Sequence, residues 1–302
     1  MTEQRLTLNE RALGAYIGLA VGDALGATTE FLTPNEIQQQ YGTHDSIRGG
    51  GWLKIKAGEV TDDTEMSLAL GDSIIARGGV EAPAVAEAFS NWMRGKPIDI
   101  GNTVRRGIIN YRSTGESAVP VNDYDAGNGA CMRTLPIALL CCHASDEALC
   151  RASRLQAHTT HNNPVSDAGT ETVLRMLIGL FGGGEKNELL ALVERLVAEY
   201  PQYRFDKRRA VNPSGYIVHT LQVVFQSFFE KDDFESTLVD VVNRGGDADT
   251  TGAIAGMLAG ARYGLRSVPS RWTRKLNPKV KTACQRQTLE LLAMAESFRG
   301  AS

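Results

Sequence analysis

Two stretches of the chain put paired carboxylates and hydroxyls where a turn runs into a helix. The first is Asn243-Arg244-Gly245-Gly246-Asp247-Ala248-Asp249-Thr250-Thr251-Gly252. An apolar segment, 238–242, precedes it, and the small apolar text of 253–260 suits a buried helix. The second is Thr61-Asp62-Asp63-Thr64-Glu65, which opens an apolar-periodic helix over 66–75. Either stretch alone reads most simply as helix capping, because Asp and Thr accept from free N–H groups at the positive end of a helix. Two such starts in one chain, both without cysteine, support a second chemistry. Hard oxygen donors of this kind suit Mg²⁺ or Mn²⁺ rather than a structural zinc. Asp62, Asp63, Asp247 and Asp249 would balance two divalent cations in charge.

Other residues that could work beside such a centre also lie at turns. Asp23 and Glu30 interrupt apolar text at the end of a helix over 8–26. Their ordinary roles are a turn carboxylate bonded to backbone and a solvated acid. Asp99 sits in Pro97-Ile98-Asp99-Ile100-Gly101-Asn102-Thr103, either capped by backbone amides or held in a site that shifts its pKa. Gly127-Asn128-Gly129 leads into Ala130-Cys131-Met132-Arg133. Flexible backbone, an amide and a helix start can bind an anion such as phosphate, though a plain helix entry is the simpler reading. His158 and His161 could bind a metal, but with no third ligand in register a cap or core hydrogen bond explains His158 better. Gly49-Gly50-Gly51-Trp52 reads as a simple loop, with close approach of backbone to a ligand as the alternative. Tyr216, beside Gly215, could stack on a base, although such an aromatic is more often core. The basic run 204–209 reads as a solvated loop, with partner docking the lesser reading.

The elements that must position these groups are helices. Apolar residues recur with a period near 3.6 along the chain, and strand alternation is nearly absent. Helices are expected over 8–26, 33–41, 84–93, 104–111, 135–142, 147–157, 164–181, 188–200, 215–229 and 280–298, with 262–278 a connection. Gly14, Gly18, Ala20, Gly22 and Ala24 give the first helix a side that a neighbouring backbone can approach closely. No internal repeat or long linker divides the chain, so a single all-α, multi-helix domain over 1–302 is expected. With 32 Lys plus Arg against 35 Asp plus Glu, the net charge of −3 argues against a general nucleic-acid or acidic-membrane binder. Five cysteines, mostly in apolar helical text, point to reduced core thiols rather than disulfides. The start, 1–11, is polar, and no uncharged apolar run reaches the ~18 residues of a membrane span, so a cytoplasmic protein is expected.

Taken together these motifs resemble the ADP-ribosylglycohydrolase family. The resemblance runs in family order through Gly22-Asp23-Ala24-Leu25-Gly26 with Glu30, Thr61-Asp62-Asp63-Thr64, 127–133, Thr160-His161-Asn162 and Gly246-Asp247-Ala248-Asp249-Thr250. It implies an all-α fold with a binuclear centre at the bottom of a cleft, holding Mn²⁺ by preference or Mg²⁺. Thr61, Asp62 and Asp63 would supply one ligand group, and Asp247, Asp249 and Thr250 the other. Glu30 would lie beside the ribose and metals, and Asp99 would face the scissile bond and the guanidinium. Gly127, Asn128, Gly129 and His161 would line the diphosphate and ribose, with Gly215 and Tyr216 at the adenine end. The stretches 50–54 and 97–103 look closest to a bacterial branch that acts on nitrogenase iron protein. That branch implies removal of ADP-ribose from a modified arginine, and a monomer is expected independently of it. The branch also implies regulation by a PII signalling protein and, through it, reversible association with a membrane ammonium transporter. The competing readings are a hydrolase of ADP-ribosylserine or an ADP-ribose ester, a binuclear-metal phosphohydrolase, and a catalytically silent ADP-ribose binder.

Overall fold

The computed structural model describes residues 6–298, so of the polar start 1–11 the first five residues lie outside it. Its α-helices are α1 (Leu8–Gly26), α2 (Pro34–Tyr41), α3 (Asp62–Arg77), α4 (Ala82–Arg94) and α5 (Asn102–Thr114), followed by α6 (Gly129–Met132), α7 (Leu135–Leu140), α8 (Asp146–Ala157), α9 (Pro164–Phe181) and α10 (Lys186–Glu199). The chain closes with α11 (Ile217–Glu230), α12 (Phe234–Val242), α13 (Ala248–Tyr263), α14 (Ser270–Thr273) and α15 (Pro278–Ala295). The all-α expectation is met: the pairing that is not helical is confined, among the described residues, to the isolated bridges Gly50–Ile55 and Gly127–Tyr216. Several expected boundaries move by one to three residues, α5 running to Thr114 and α15 stopping at Ala295. The helix expected to begin at Gly215 starts at Ile217, with Tyr216 as its N-cap, and the connection after α13 contains the short α14.

The centre of the molecule is the pair α1 and α13, and its spacing is set by glycine. A Cβ on Gly14 would stand 2.3 Å from the carbonyl oxygen of Gly260, one on Gly18 2.2 Å from that of Gly256, and one on Gly22 1.9 Å from that of Gly252. The order of these partners makes the helices antiparallel. Gly26, at the end of α1, faces the carbonyl of Ala248, at the start of α13. The small-residue face read from the sequence is therefore a backbone-to-backbone seam. It brings the end of α1, with Asp23 and Glu30 nearby, against the start of α13, with Asp247 and Asp249.

Helix α3 is tied to the same end of α1. It has no side-chain cap of its own, and Asp23 supplies one from outside. The Asp23 carboxylate accepts from the Thr61 amide at 3.0 and 3.1 Å and from the Thr64 amide at 3.1 Å. It also accepts from the hydroxyls of Thr61 at 3.0 Å and Thr64 at 2.5 Å. A carboxylate at a helix start satisfies orphan N–H groups and meets the positive end of the dipole. Helix α15 then braces α1 and α3 together. Gln287 accepts from the Tyr16 hydroxyl at 2.7 Å and donates to the carbonyl of Leu68 at 2.7 Å. All five cysteines are free; Cys131, Cys141 and Cys284 are buried core thiols, whereas Cys142 and Cys150 are only partly buried. No helix among the described residues is long and apolar enough to cross a membrane.

Candidate active site

The starts of α3 and α13 meet at the bottom of a cleft of about 660 Å³. The cleft is walled by the turn after α1, the loop before α5, the Gly127-Asn128-Gly129 turn and the segment 212–215. The turn into α13 has its shape because two residues adopt positive φ, Gly245 at 71° and Gly246 at 65°. A side chain there would be strained and would meet the carbonyls of Leu32 and Pro213 at 2.1 Å. Backbone hydrogen bonds from Gly246 to Leu32 at 2.9 Å and from Asp247 to Pro213 at 2.8 Å fasten this turn to both neighbouring walls.

The two ligand groups expected from the sequence come together. The Thr250 hydroxyl donates to Asp63 Oδ2 at 3.3 Å, and the Thr61 hydroxyl, whose one hydrogen is shared with Asp23, lies 3.1 Å from the same oxygen. The other Asp63 oxygen, Oδ1, is buried with no hydrogen-bond partner. Asp62 faces the cleft and accepts from the Gly101 amide at 3.2 Å. Glu30, Asp247 and Asp249 each offer an oxygen within 4.8 Å of the others. Glu30, expected beside the ribose and metals, thus sits in the same oxygen cluster as two of the expected ligands.

The electrostatics of this cluster call for cations. Burial is the largest effect on every carboxylate in it and disfavours the charged form. It raises Glu30 to about 8 against the hydrogen bond from Trp52, with the neighbouring charges of Asp247, Asp99 and Asp62 adding to the rise. Burial and the charge of Asp99 raise Asp62 to about 8. Asp63 and Asp249 are pushed well above the usual range, and Asp247 is also raised. Even Asp23, with its four Thr61 and Thr64 donors, is raised to about 6, so desolvation outweighs those bonds. No arginine or lysine forms an ion pair with any of these groups among the described residues. An orphaned buried carboxylate oxygen and a ring of oxygen donors without a protein countercharge fit divalent Mg²⁺ or Mn²⁺.

The remaining expected residues take distinct places. Asp99 is half-buried at the cleft, raised by desolvation, and accepts from the Ile100 amide at 2.8 Å. Asn128 lines the cleft, but both its amide hydrogens are spent on protein, on Asp247 at 2.5 Å and on Thr220 at 2.9 Å. Its side-chain nitrogen therefore orients Asp247. Gly127, Gly129, His161 and Gly215 line the cleft. Tyr216 is 36% exposed outside that lining, edge-on to His219 with ring centroids 5.1 Å apart. His158 and His161 do not share a site: His158 pairs with Asp167 at 2.9 Å, the cap-type bond expected of it.

Sequence reading missed several contributors. The triple glycine is no simple loop: Gly50 and Ile55 pair, and the turn delivers the Trp52 indole N–H to Glu30 at 2.5 Å. Phe31, at φ 61° and 63% exposed, stands beside Trp52 with ring centroids 5.2 Å apart. Arg244, inside the signature, is buried. It bonds Asp240, Gln226 and the carbonyl of Ala210, bracing the segment that leads to the 212–215 wall.

The all-α fold is shared with a solved ADP-ribosylglycohydrolase-related protein. The sequence pattern of the ADP-ribosylglycohydrolase family matches residues 4–301, and the chain belongs to it. The chain is 49% identical over 291 residues to the ADP-ribosyl-[dinitrogen reductase] glycohydrolase of Rhodospirillum rubrum, covering 96% of this chain and 98% of that protein. An ADP-ribosylarginine hydrolase of Serratia proteamaculans is 30% identical over 303 residues, covering 96% of this chain and 81% of its own. A solved structure described as an ADP-ribosylglycohydrolase-related protein complex superposes with a TM-score of 0.85 at 34% identity, over 95% of this chain and 99% of its own.

Proposed function

We propose that this chain removes ADP-ribose from a modified arginine of nitrogenase iron protein, dinitrogen reductase, and so restores that protein's activity and regulates nitrogen fixation. The observation that carries a hydrolytic role is the convergence of Asp62, Asp63, Asp247 and Asp249 beneath a cleft that Asp99 also lines. The likeness to the Rhodospirillum rubrum protein supports the choice of substrate. Thr61, Asp62, Asp63, Asp247, Asp249 and Thr250 would hold two divalent cations, Mn²⁺ before Mg²⁺, with Glu30 at the same cluster. The chemistry these residues would gain from such ions is a hold on ribose hydroxyls and a water of lowered pKa.

In the reaction the N-glycosidic bond between the ribose anomeric carbon and the guanidine nitrogen breaks. Water supplies hydroxyl to the carbon and a proton to the leaving nitrogen, giving ADP-ribose and unmodified arginine. The transition state has oxocarbenium character, so anionic groups near the ribose favour it. Asp99 has the place for steering the guanidinium and passing it a proton. Glu30, held by Trp52, orients ribose and water. The Gly127 to Gly129 turn and His161 receive the diphosphate–ribose portion, and Gly215 and Tyr216 mark the adenine end. A PII protein, and through it an ammonium transporter, belong to this reading as regulators of a monomeric enzyme. Co-purification with and without ammonium tests that part.

The test of the reaction is product release from an ADP-ribosyl-arginine protein in metal-free buffer, then with Mn²⁺ or Mg²⁺ added. Metal-dependent release of intact ADP-ribose is expected. Release from serine-linked substrate alone, or release of phosphate, would overturn the assignment.

A further inference from the structure

Behind the cleft lies a charged group that the reaction does not use. Arg133, at the end of α6, is fully buried. Its Nε donates to the Gln156 side chain at 2.8 Å, and its Nη2 donates to the Gln156 carbonyl at 3.0 Å and to Thr160 Oγ1 at 2.9 Å. The guanidinium also lies 4.4 Å over the Phe89 ring. Gln156 is fixed in turn, because its amide nitrogen donates to the carbonyl of Ala130 at 3.0 Å. Thr160 Oγ1 has one further neighbour, His161 Nδ1, at 2.8 Å.

Proton counting settles which way that last bond runs. A threonine hydroxyl carries a single hydrogen, and an arginine can only donate. Arg133 therefore occupies a lone pair of Thr160 Oγ1. The hydroxyl hydrogen then has one acceptor within reach, the Nδ1 of His161. The reverse arrangement, with Nδ1–H donating to Thr160, would strand the hydroxyl hydrogen in a buried place with no acceptor among the described residues, a costly state. Nδ1 is thus an acceptor, and the ring proton sits on Nε2. Nothing among the described residues accepts from Nε2, and His161 lines the cleft. The ring is also clamped: a Cβ on Gly127 would fall 2.7 Å from Nε2, and one on Gly129 2.7 Å from Cε1. Burial, then the charges of Arg133 and Arg106, holds the His161 pKa down at about 3, so the ring is neutral.

We propose that Arg133 and Thr160 are positioning residues that lock His161 as its Nε2-protonated form, a fixed hydrogen-bond donor to an oxygen of a cleft-bound ADP-ribosyl group. A ring so locked is neither a metal ligand nor a proton acceptor, since Nε2 has no free lone pair and that of Nδ1 is occupied. The identity of the ligand rests on the proposed function; the tautomer does not.

The experiment is ¹⁵N NMR of the imidazole nitrogens together with ADP-ribose binding. The chain has 5 histidines, so the His161 pair is recognised by its absence from a His161→Gln variant. In the wild-type protein Nε2 is expected to carry the proton, unchanged between about pH 5 and 8, where a free histidine would titrate. Thr160→Val is expected to give mixed tautomers and about tenfold weaker ADP-ribose binding, the worth of one hydrogen bond. Thr160→Ser should restore both. A wild-type signal with the proton on Nδ1 would overturn the proposal, as would a Thr160→Val variant with unchanged nitrogen signals and affinity. ADP run in parallel locates the acceptor oxygen: a loss shared by ADP places it on the diphosphate, and a loss confined to ADP-ribose places it on the distal ribose. If wild-type protein binds no ADP-ribose, the proposed function fails while the nitrogen signals still decide the tautomer.

Discussion

At the scale of residues, the site separates groups that would hold metal from one that would act on the leaving group. Asp99 is half-buried and acts on the oxygen cluster through its charge, while, two residues on, the Gly101 amide donates to Asp62. Asp99→Ala is expected to keep metal binding and lower turnover by about 10²-fold or more, the usual contribution of a positioned acid or base. Asp247→Ala should lose metal and activity together, because Asp247 shares an oxygen cluster with Glu30 and Asp249. Metal titration by calorimetry beside single-turnover release tells the two apart; a fully loaded Asp247→Ala protein would refute its role as ligand. The ligand candidates were legible in the sequence because Asp and Thr at a helix start form a local pattern. Their supporters were not. Asp23 caps a helix start 38 residues away, and Trp52 reaches back 22 residues to Glu30. Nothing local to either residue announces its partner.

At the scale of elements, the seam between α1 and α13 decides where the site can form. Gly18→Ala would improve helix propensity by about 1 kcal/mol. The same methyl would meet the Gly256 carbonyl at 2.2 Å and press on Phe234 at 3.1 Å. Backbone on the other side cannot step aside, so overpacking of about 3 kcal/mol or more should win. Urea unfolding of the variant measures the balance, and wild-type stability would mean that the helices stand further apart than described. The helices themselves could be read from a 3.6-residue period with their capping residues, and most begin and end within a few residues of expectation. The small face of α1 was visible as well. Its partner was not, because α13 is buried on nearly every side and carries no single face that singles out α1.

At the scale of the whole molecule, the buried carboxylates make stability depend on pH and metal together. Glu30 and Asp62 are raised to about 8 in the metal-free fold, against about 4 for exposed carboxylates. Between those values the folded chain binds more protons than the unfolded one, so metal-free stability falls as pH rises and the full penalty is present above about pH 8. Thermal unfolding in chelator should therefore show a higher midpoint near pH 6 than near pH 8.5. Adding Mn²⁺ should raise the midpoint more at the higher pH, since cations replace the protons there. A chelated protein that grows more stable from pH 6 to 8.5 would contradict the raised carboxylates.

The antiparallel seam also sets when in the life of the chain activity can appear. Its partners lie far apart along the polypeptide, as do Thr29 and Val242, which bond beside it at a separation of 213 residues. On a ribosome adding about 5–20 residues each second, the first helix waits roughly 10 to 40 seconds for that partner to be made. Through that interval its glycine face lacks α13, and Asp23 and Glu30 lack the carboxylates of Asp247 and Asp249. A nascent chain that has not yet reached α13 is thus without the centre, which forms only once that helix has been made.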